Sequence, residues 1–473
     1  MSLRSADVRF LLPRPPRTAF VAPGLESWRD GLAQAGVELV EGRADLAVVR
    51  AQDPLPEAEA IVVMGRGGRR ALRGRGPTRR YAALPEPRAP HVIVPVDRPA
   101  VASYMIRNWT VPESALLRRR NDLARLAIAL GAFPELGRSL AVAAPEGPPF
   151  VVAAATELGV PGDASWFLTL GEGDALTRAV FQLFGPDERE PEWVLKLSRV
   201  RGYNAPFERD ERGLRLAAEA GGVVAAHAPR LLDRFEADGL PCSLESAAAG
   251  RRLTNLLQRR GSRRDKLRAV EAVAGWALRA AETTAAPAGA LEDERRRLER
   301  DVLPRYPQVA PDIVSRLPPL PAVLQHNDLG CWNVVVGRRG FTVVDWESAR
   351  RHGFPLWDLL YLLVDALVHL DGAWQPGRRE AHAARLLLGE TPSSELLFSW
   401  VREAVRALEL PPDAVGPVVT LGWLHHGLSP VARDEASRAL APGLRSGGTF
   451  AEWMAELWLG TEGLGLEWSS WRR

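Results

Sequence analysis

The segment at residues 325–349 constrains the fold of this chain most strongly. Its sequence is QHNDLGCWNVVVGRRGFTVVDWESA, in which the apolar runs VVV and FTVV flank Gly-Arg-Arg-Gly. This pattern predicts a loop followed by two short strands joined by a tight turn. Asn333 precedes the first strand and Asp345 closes the second, so we expect both at one end of the hairpin. Their oxygen atoms suit Mg²⁺ with bound phosphates, and Asp328 remains available to hold a substrate hydroxyl.

Length and composition predict a globular chain of several domains. At roughly 100–200 residues per domain, 473 residues correspond to about two to four domains. Hydrophobic residues make up 46% of the chain and charged residues 25%, which excludes a disordered or coiled-coil protein. No run of about 18 uninterrupted apolar residues occurs, so we predict no membrane span and no membrane partner.

Charge and cysteine content exclude further classes of protein. The 61 basic and 58 acidic residues nearly balance, so we predict no nucleic-acid partner. Cys242 and Cys331 are too few and too far apart for a disulfide framework or a cysteine-rich zinc site. The N-terminal sequence has no long apolar core before a small-residue cleavage site, so we predict a cytoplasmic protein. The sequence leaves the oligomeric state open.

The first 140 residues alternate short apolar runs with helical patterns, which predicts an α/β domain. Strand candidates are 18–23, 37–40, 44–49, 60–64 and 91–96, and helix candidates are 25–35 and 112–136. The arrangement resembles a Rossmann-like methyltransferase domain, but no G-x-G-x-x-G motif follows the first strand. We therefore predict that residues 1–140 form a small Rossmann-like domain that is degenerate and non-catalytic.

In the rest of the chain, the pattern of strand and helix candidates changes twice. Three strand candidates at 166–170, 178–184 and 193–198 indicate an antiparallel meander, and a helical pattern follows at 207–220. From residue 251 onward the spacing is mainly helical, apart from the hairpin described above. We therefore predict an α+β fold, with domains at 1–140, 145–250 and 251–473.

The polar residues of the hairpin segment form a recognisable signature. His326, Asp328 and Asn333 give the pattern H-x-D-x-x-x-x-N, and Asp345 begins D-W-E. This signature resembles that of the aminoglycoside phosphotransferase and choline kinase family, which is related to the protein kinases. The resemblance implies a two-lobed kinase-like fold, with a sheet-rich N-lobe at 145–250 and a helical C-lobe at 251–473. Asn327 replaces the glycine common in this family, which Asn can do because it tolerates a positive φ.

The resemblance also implies roles for these residues. Asp328 is expected to be the catalytic base, or to orient the substrate hydroxyl, while Asn333 and Asp345 bind magnesium. His326 is expected to support the loop. A downstream G-F-P-L-W-D-L also resembles the family pattern, and we predict that its Asp358 ties the loop through hydrogen bonds rather than taking part in catalysis.

The nucleotide-binding residues are expected in the meander. Lys196, one of only two lysines in the chain, lies in its third strand. The resemblance implies that Lys196 binds the α- and β-phosphates. Its expected partner is Glu208 or Glu211 on the following helix, and the resemblance of D-E-R-G-L to the family's R-E-x-x-x-L-like run favours Glu211. Gly171 and Gly173, between the first two strands, could let backbone N–H groups approach the phosphates.

Together these features imply an enzyme that transfers the γ-phosphoryl group of ATP, or of GTP, to a hydroxyl of a small molecule, with Mg²⁺ as cofactor. The acceptor remains open among aminoglycosides, amino alcohols, sugars and biosynthetic intermediates. A cationic acceptor would need acids or aromatic residues from the C-terminal helices, where Asp365, Glu403 and Glu456 are acids without a diagnostic spacing.

Two alternatives accompany this interpretation. His425 and His426 are adjacent and would point different ways on a helix, so we interpret them as packing or substrate-lining residues rather than metal ligands. The chain as a whole could be a non-catalytic scaffold, in which a methyltransferase-like domain joins a pseudokinase that binds nucleotide or a partner. The intact positions of Asp328, Asn333 and Asp345 favour the enzyme.

Overall fold

A computed structural model describes residues 3–65, 67–109, 115–129, 139–171, 177–375, 377–440 and 454–455. The backbone divides into two units. The N-terminal unit comprises Met1–Phe207, Arg230–Ala249 and Ser437–Leu444. The C-terminal unit comprises Glu208–Pro229, Gly250–Ala436 and Arg445–Arg473.

The N-terminal unit is built around a twelve-stranded sheet. In chain order its strands are β1 (Thr18–Val21), β2 (Glu38–Leu39), β3 (Ala44–Arg50), β4 (Ala58–Met64), β5 (Thr78–Leu84), β6 (Val92–Pro95), β7 (Ser139–Ala143), β8 (Ser165–Thr169), β9 (Ala179–Phe184), β10 (Trp193–Leu197), β11 (Leu231–Ala237) and β12 (Leu240–Ser246). They lie in the order β11-β12-β10-β9-β8-β6-β5-β7-β4-β3-β1-β2. Strands from the predicted 1–140 and 145–250 segments therefore share one sheet.

The direction of strand pairing changes along this sheet. The strands β2, β1, β3 and β4 pair in parallel, as expected when a helix such as α1 (Glu26–Gln34) connects successive strands. From β4 to β11 the pairs are antiparallel. The strands β8, β9 and β10 form the meander predicted from the sequence. The methyltransferase-like character of the first 140 residues stays a prediction.

The remaining helices of this unit are α2 (Gly68–Ala71), α3 (Pro99–Trp109), α4 (Ala115–Ala129) and α5 (Phe150–Thr156). The described helix α4 lies inside the predicted helix 112–136, whose ends fall outside the described residues. One apolar core runs under the sheet from Val48 on β3 to Leu244 on β12. The predicted α/β region and the meander are thus packed on a common core.

A buried ion pair joins the ends of the meander to the N-terminal segment. The Arg199 guanidinium donates through Nε to Asp7 Oδ2 at 2.8 Å, and both side chains are inaccessible to solvent. Its Nη2 also donates to the Leu170 carbonyl at 2.6 Å. Arg199 follows β10 and Leu170 follows β8, so this side chain fixes the two strand ends nearest to Lys196 and Gly171.

The C-terminal unit is mostly helical. Its helices are α6 (Ala205–Glu219), which begins in the N-terminal unit, α7 (Gly222–Ala225), α8 (Leu253–Gln258), α9 (Arg263–Thr283), α10 (Glu292–Arg297), α11 (Trp357–Leu370), α12 (Arg378–Leu387), α13 (Ser394–Ala407) and α14 (Val415–Leu440), which ends in the N-terminal unit. Its strands are β13 (Arg251–Arg252), β14 (Val323–Gln325), β15 (Val334–Gly337), β16 (Gly340–Val343) and β17 (Arg350–Gly353). The β15–β16 pair is the predicted hairpin, and β14 pairs with β17. The α+β fold class is confirmed.

The central helix of this unit is α11. Its sequence WDLLYLLVDALVHL is apolar almost all round, so the helix is buried along its whole length, with only Asp358 partly exposed. It packs against α8, α9, α12 and α13. Within the described ranges, none of the helices is long and apolar enough to cross a membrane.

Candidate functional site

The loop between β14 and β15 is held by α11 at both ends. Asp358 lies in the first turn of α11, and its carboxylate accepts hydrogen bonds from the backbone N–H groups of His326 at 2.6 Å and Asn327 at 2.8 Å. Asp365, two turns later, accepts the N–H of Cys331 at 2.8 Å. A spacing of about two helical turns puts the two carboxylates on one side of α11. The helix therefore fixes the path of the loop.

Asp328 lies in the middle of this loop, where Asn333 holds its carboxylate. The Asn333 Nδ2 donates to both the carbonyl and Oδ2 of Asp328, at 2.9 Å each. Burial raises the pKa of Asp328 well above its ordinary value, and the charges of Asp345, Glu347 and Asp358 add to this effect. Asp328 therefore lies among other negatively charged carboxylates of the C-terminal unit. Repulsion between like charges favours the uptake of a proton or the binding of a cation at such a place.

The hairpin brings Asn333 and Asp345 to the same end, as its pattern predicts. The Val344 N–H donates to the Asn333 carbonyl at 2.8 Å, so the residue before Asp345 is joined to Asn333 directly. Asp345 itself has φ +69°, the left-handed region, at the start of a short helical turn. Arg252 is a nearby cation that the sequence did not single out. Burial lowers the pKa of Arg252 to about 10, and the charge of Asp345 opposes this shift.

The donor set at this end of the hairpin fits magnesium. Asn333 uses its Nδ2 for Asp328, so its Oδ1 is the oxygen it can offer, and Asp345 adds a carboxylate. Proteins usually bind Mg²⁺ through one or two such groups, together with water and substrate phosphates. Among the described residues, no group of three or more His, Cys, Asp or Glu could hold a metal.

His326 connects the loop to the hairpin. Its Nε2 lies 3.0 Å from the Val344 carbonyl, and its ring meets Trp346 edge to face with centroids 4.8 Å apart. Burial lowers the pKa of His326 to about 4, so the ring is neutral near pH 7 and Nε2 carries the proton that the carbonyl accepts. This is a supporting contact, since it positions the backbone beside Asp345.

The C-terminal unit also places α6 directly against the segment after Asp345. A Cβ atom on Gly213 would lie 1.8 Å from the Trp346 carbonyl oxygen, so only glycine permits this approach. Arg209, one turn earlier, forms an ion pair with Glu347 at 3.7 Å. The glycine within the otherwise helical run FERDERGLRLAAEA was the sequence signal for this close contact.

Lys196 lies on β10, in the N-terminal unit, with its side chain largely buried. Its Nζ is 2.6 Å from Glu245 Oε1 on β12, and the Glu245 side chain is only 3% exposed. Lys196 is opposite Ser243 in the ladder, so Glu245, two positions along, points to the same face of the sheet. Sequence reasoning missed Glu245, because it searched for a partner only on the following helix.

The surroundings of the other proposed nucleotide ligands differ. Glu211 forms an ion pair with Arg215, one turn along α6, at 2.7 Å. The pairing of Lys196 with Glu208 or Glu211 stays a prediction. Gly171 has φ +54° at the end of β8, a conformation that favours glycine. Gly173 lies outside the described residues.

The adjacent histidines of α14 are buried and stacked on aromatic rings. The His425 ring stacks on Trp357 with centroids 5.1 Å apart, and the His426 ring stacks on Tyr361 at 4.4 Å. Burial lowers the pKa of both histidines. His425 also contacts the Asn327 side chain, Nε2 to Oδ1, at 3.0 Å. These contacts agree with a packing role, and the bond to Asn327 extends it to the loop between β14 and β15.

The acids considered for a cationic acceptor do not form a group in the described residues. Asp365 already binds the Cys331 N–H and lies 3.5 Å from His369 Nε2. Although burial opposes the change, hydrogen bonds from His369 and Cys331 lower the pKa of Asp365. Glu403 is an exposed residue of α13, and Glu456 lies outside the described residues.

A comparison with protein families identifies the segment that carries this site. Residues 171–398 match the model of the phosphotransferase enzyme family. The match includes Lys196, the β14–β15 loop and the hairpin that ends at Asp345. The family resemblance predicted from the sequence is therefore confirmed for this part of the chain. No curated protein matches the chain by sequence.

Solved structures give weaker likenesses. A protein of Ralstonia eutropha JMP134, provisionally described as an aminoglycoside phosphotransferase, is 13% identical with a TM-score of 0.42, covering 68% of this chain and 97% of its own. An aminoglycoside-3′-phosphotransferase of type VIII is 17% identical with a TM-score of 0.27, covering 55% and 99%. A glucosamine kinase is 13% identical with a TM-score of 0.31, covering 63% and 95%. Because these scores are low, the family assignment rests on residues 171–398.

The contact between α6 and Trp346 gives a prediction about stability. We expect Gly213→Ala to lower the free energy of unfolding by about 1–3 kcal/mol, because the added methyl group overpacks a backbone contact. Gly222→Ala in α7 is the control, since a Cβ there meets nothing within 4 Å. Denaturant titration of both variants measures the difference. Equal stability of the two would contradict the close approach.

Proposed function

We propose that the chain transfers the γ-phosphoryl group of ATP to a hydroxyl of a small molecule, because residues 171–398 match the model of the phosphotransferase enzyme family. The observation that carries the proposal is the grouping of Asp328, Asn333 and Asp345 at one loop and hairpin of the matched segment. GTP is an alternative donor. We also propose a cytoplasmic location, where nucleotide triphosphates are available.

Asp328 is the proposed base. Asn333 holds its Oδ2, so Oδ1 is the atom proposed to accept the hydroxyl proton of the acceptor. As the proton moves to Oδ1, the hydroxyl oxygen bonds to the γ-phosphorus and the bond to the β-phosphate oxygen breaks. A carboxylate whose pKa is raised by burial is a stronger proton acceptor than an exposed one, which suits this role.

Charge neutralisation is the second requirement of phosphoryl transfer. A bound Mg²⁺ would supply positive charge to the nucleotide phosphates, and Asn333 and Asp345 are the residues proposed to hold it. In the N-terminal unit, Lys196 is the proposed ligand of the α- and β-phosphates, with Glu245 fixing its ammonium group. Gly171 and Gly173 remain proposed phosphate contacts.

The first functional prediction concerns Asp328. The variant Asp328→Asn keeps the size of the side chain, and its amide oxygen can still accept from Asn333 Nδ2. We expect phosphoryl transfer in single-turnover experiments to fall about 10²- to 10⁴-fold because the base is lost, while nucleotide binding persists. An unchanged rate would exclude Asp328 as the base. Loss of nucleotide binding as well would show a structural role instead and favour the non-catalytic alternative.

The second prediction concerns the metal. We expect calorimetry to show that ATP binds at least about tenfold more weakly when Mg²⁺ is chelated, and that Asp345→Asn abolishes most of this difference. Asp312→Asn is the matched control, because Asp312 is an exposed acid that pairs with Arg316. If magnesium made no difference to the ATP affinity of the wild type, the assignment of Asn333 and Asp345 would be wrong.

The third prediction uses the two lysines of the chain. Lys196→Arg keeps the charge, but a forked guanidinium does not fit the 2.6 Å contact with Glu245, so we expect ATP affinity to fall about tenfold or more. Lys266→Arg is the control, since Lys266 Nζ donates to the Leu257 carbonyl at the end of α8 and has no proposed nucleotide contact. Equal ATP affinity in both variants would remove Lys196 from the nucleotide site.

A further inference from the structure

An arginine-rich cleft lies in the C-terminal unit, and none of the residues assigned to catalysis lines it. Its volume is about 560 Å³, enough for a small molecule. The guanidinium groups in its wall come from α10, from the turn after it and from β17, and they belong to Arg296, Arg297, Arg300, Arg350 and Arg351. We call this the arginine cleft.

The wall of the arginine cleft has more positive than negative groups. Five arginines line it, against the two carboxylates of Asp293 and Glu294. Glu294 is buried and accepts hydrogen bonds from two of these arginines. It accepts two hydrogen bonds from Arg297, at 2.8 and 2.6 Å, and a further one from Arg350. The five arginines of the wall thus share four carboxylates, those of Asp293, Glu294, Asp301 and Glu219, so positive charge is in excess by one.

The other arginines form ion pairs at the exposed rim. Arg296 pairs with Asp293, Arg300 with Asp301 and Arg351 with Glu219, and the three guanidinium groups are 57–72% exposed. Exposed ion pairs of this kind contribute little to stability, because water screens the two charges. An anion in the cleft could therefore draw these arginine side chains away from their carboxylates at little cost in free energy.

Hydrogen bonds connect this wall to the catalytic loop. Arg297 Nη2 is 3.3 Å from His425 Nδ1, and His425 Nε2 is 3.0 Å from the Asn327 side-chain oxygen. A neutral imidazole satisfies both contacts, since Nδ1 accepts from the arginine and Nε2 donates to the amide oxygen. Asn327 directly precedes Asp328, and Arg350 follows Asp345 by five residues. The wall of the cleft is thus joined through His425 to the residue that precedes Asp328.

We propose that the arginine cleft binds an anionic group, a phosphate or a carboxylate, of the same acceptor molecule whose hydroxyl is phosphorylated at Asp328. This inference rests on the proposed function. Guanidinium groups match the planar or forked oxygen pairs of such anions, whereas a polycationic acceptor would be repelled by the wall. The acceptor class is therefore a hydroxylated anion, such as a sugar phosphate or a hydroxy acid, rather than an aminoglycoside.

Binding of a simple anion tests the cleft without any turnover. The probe is glycerol 3-phosphate, compared with glycerol, in calorimetric titrations without nucleotide or Mg²⁺. We expect glycerol 3-phosphate to bind, glycerol not to bind, and Arg296→Gln/Arg300→Gln to weaken the affinity about tenfold or more. Arg268→Gln/Arg316→Gln is the matched control, because both arginines are 60–66% exposed and pair with an acid one turn away.

Two results of these titrations would overturn the proposal. One is equal affinity of the two double variants for glycerol 3-phosphate. The other is no binding of glycerol 3-phosphate to the wild type. Asp328→Asn should bind the probe as the wild type does, so the cleft is judged separately from the proposed base.

Turnover then tests whether the bound anion belongs to the acceptor. ATP consumption is measured with pairs of polyols and sugars that differ only by one phosphate or carboxylate group. We expect the anionic members to be phosphorylated, and Arg296→Gln/Arg300→Gln to raise KM about tenfold with little change in kcat. Phosphorylation of only the neutral or cationic members would overturn the acceptor assignment. If no compound is phosphorylated although the probe binds in the cleft, the proposed function fails instead.

Discussion

The candidate site depends on the two hydrogen bonds that the Asp358 carboxylate accepts from the loop. It accepts the N–H groups of His326 and Asn327, and so sets the backbone immediately before Asp328. Backbone N–H groups buried without a partner would destabilise the loop. Since α11 is buried along its length and also provides Asp365, it acts as a rigid support with two attachment points. The geometry of Asp328 is therefore set by a helix that itself takes no part in the proposed chemistry.

The N-terminal unit imposes a different constraint. Lys196 and Glu245 lie on neighbouring strands of a twelve-stranded sheet, and a continuous apolar core runs beneath them. Both strands have a paired neighbour on each side, so they have little freedom to shift and the ammonium group is held where the ladder puts it. The buried pair of Arg199 and Asp7 fastens the strand end after Lys196 to the N-terminal segment. The first 140 residues thus contribute to the meander's stability, whatever further role they have.

Sequence reasoning succeeded where the chemistry depends on local spacing. The hairpin and the meander follow from alternating apolar runs and turn residues, and the positions of Asn333 and Asp345 follow from the hairpin. It could not find Glu245, because cross-strand neighbours depend on register and sheet order. It placed Asp365 among acceptor-binding acids, although the seven-residue spacing from Asp358 on one helix was visible. It did not bring together the arginines of α10 and β17, which lie far apart in the sequence but line one cleft.

Asn327 stands where the family pattern commonly has glycine, and it meets two structural requirements at that position. Its φ of +64° lies in the left-handed region, which glycine adopts freely and asparagine tolerates better than most residues. A glycine there would satisfy the backbone but would have no side chain to meet His425. Asparagine adds that contact, and through His425 it joins the loop to Arg297 and Glu294. Because His425 is buried and stacked on Trp357, it cannot turn to another partner without leaving the Asn327 amide unsatisfied. Asn327 therefore connects the backbone beside Asp328, through His425, to the charged residues of the arginine cleft.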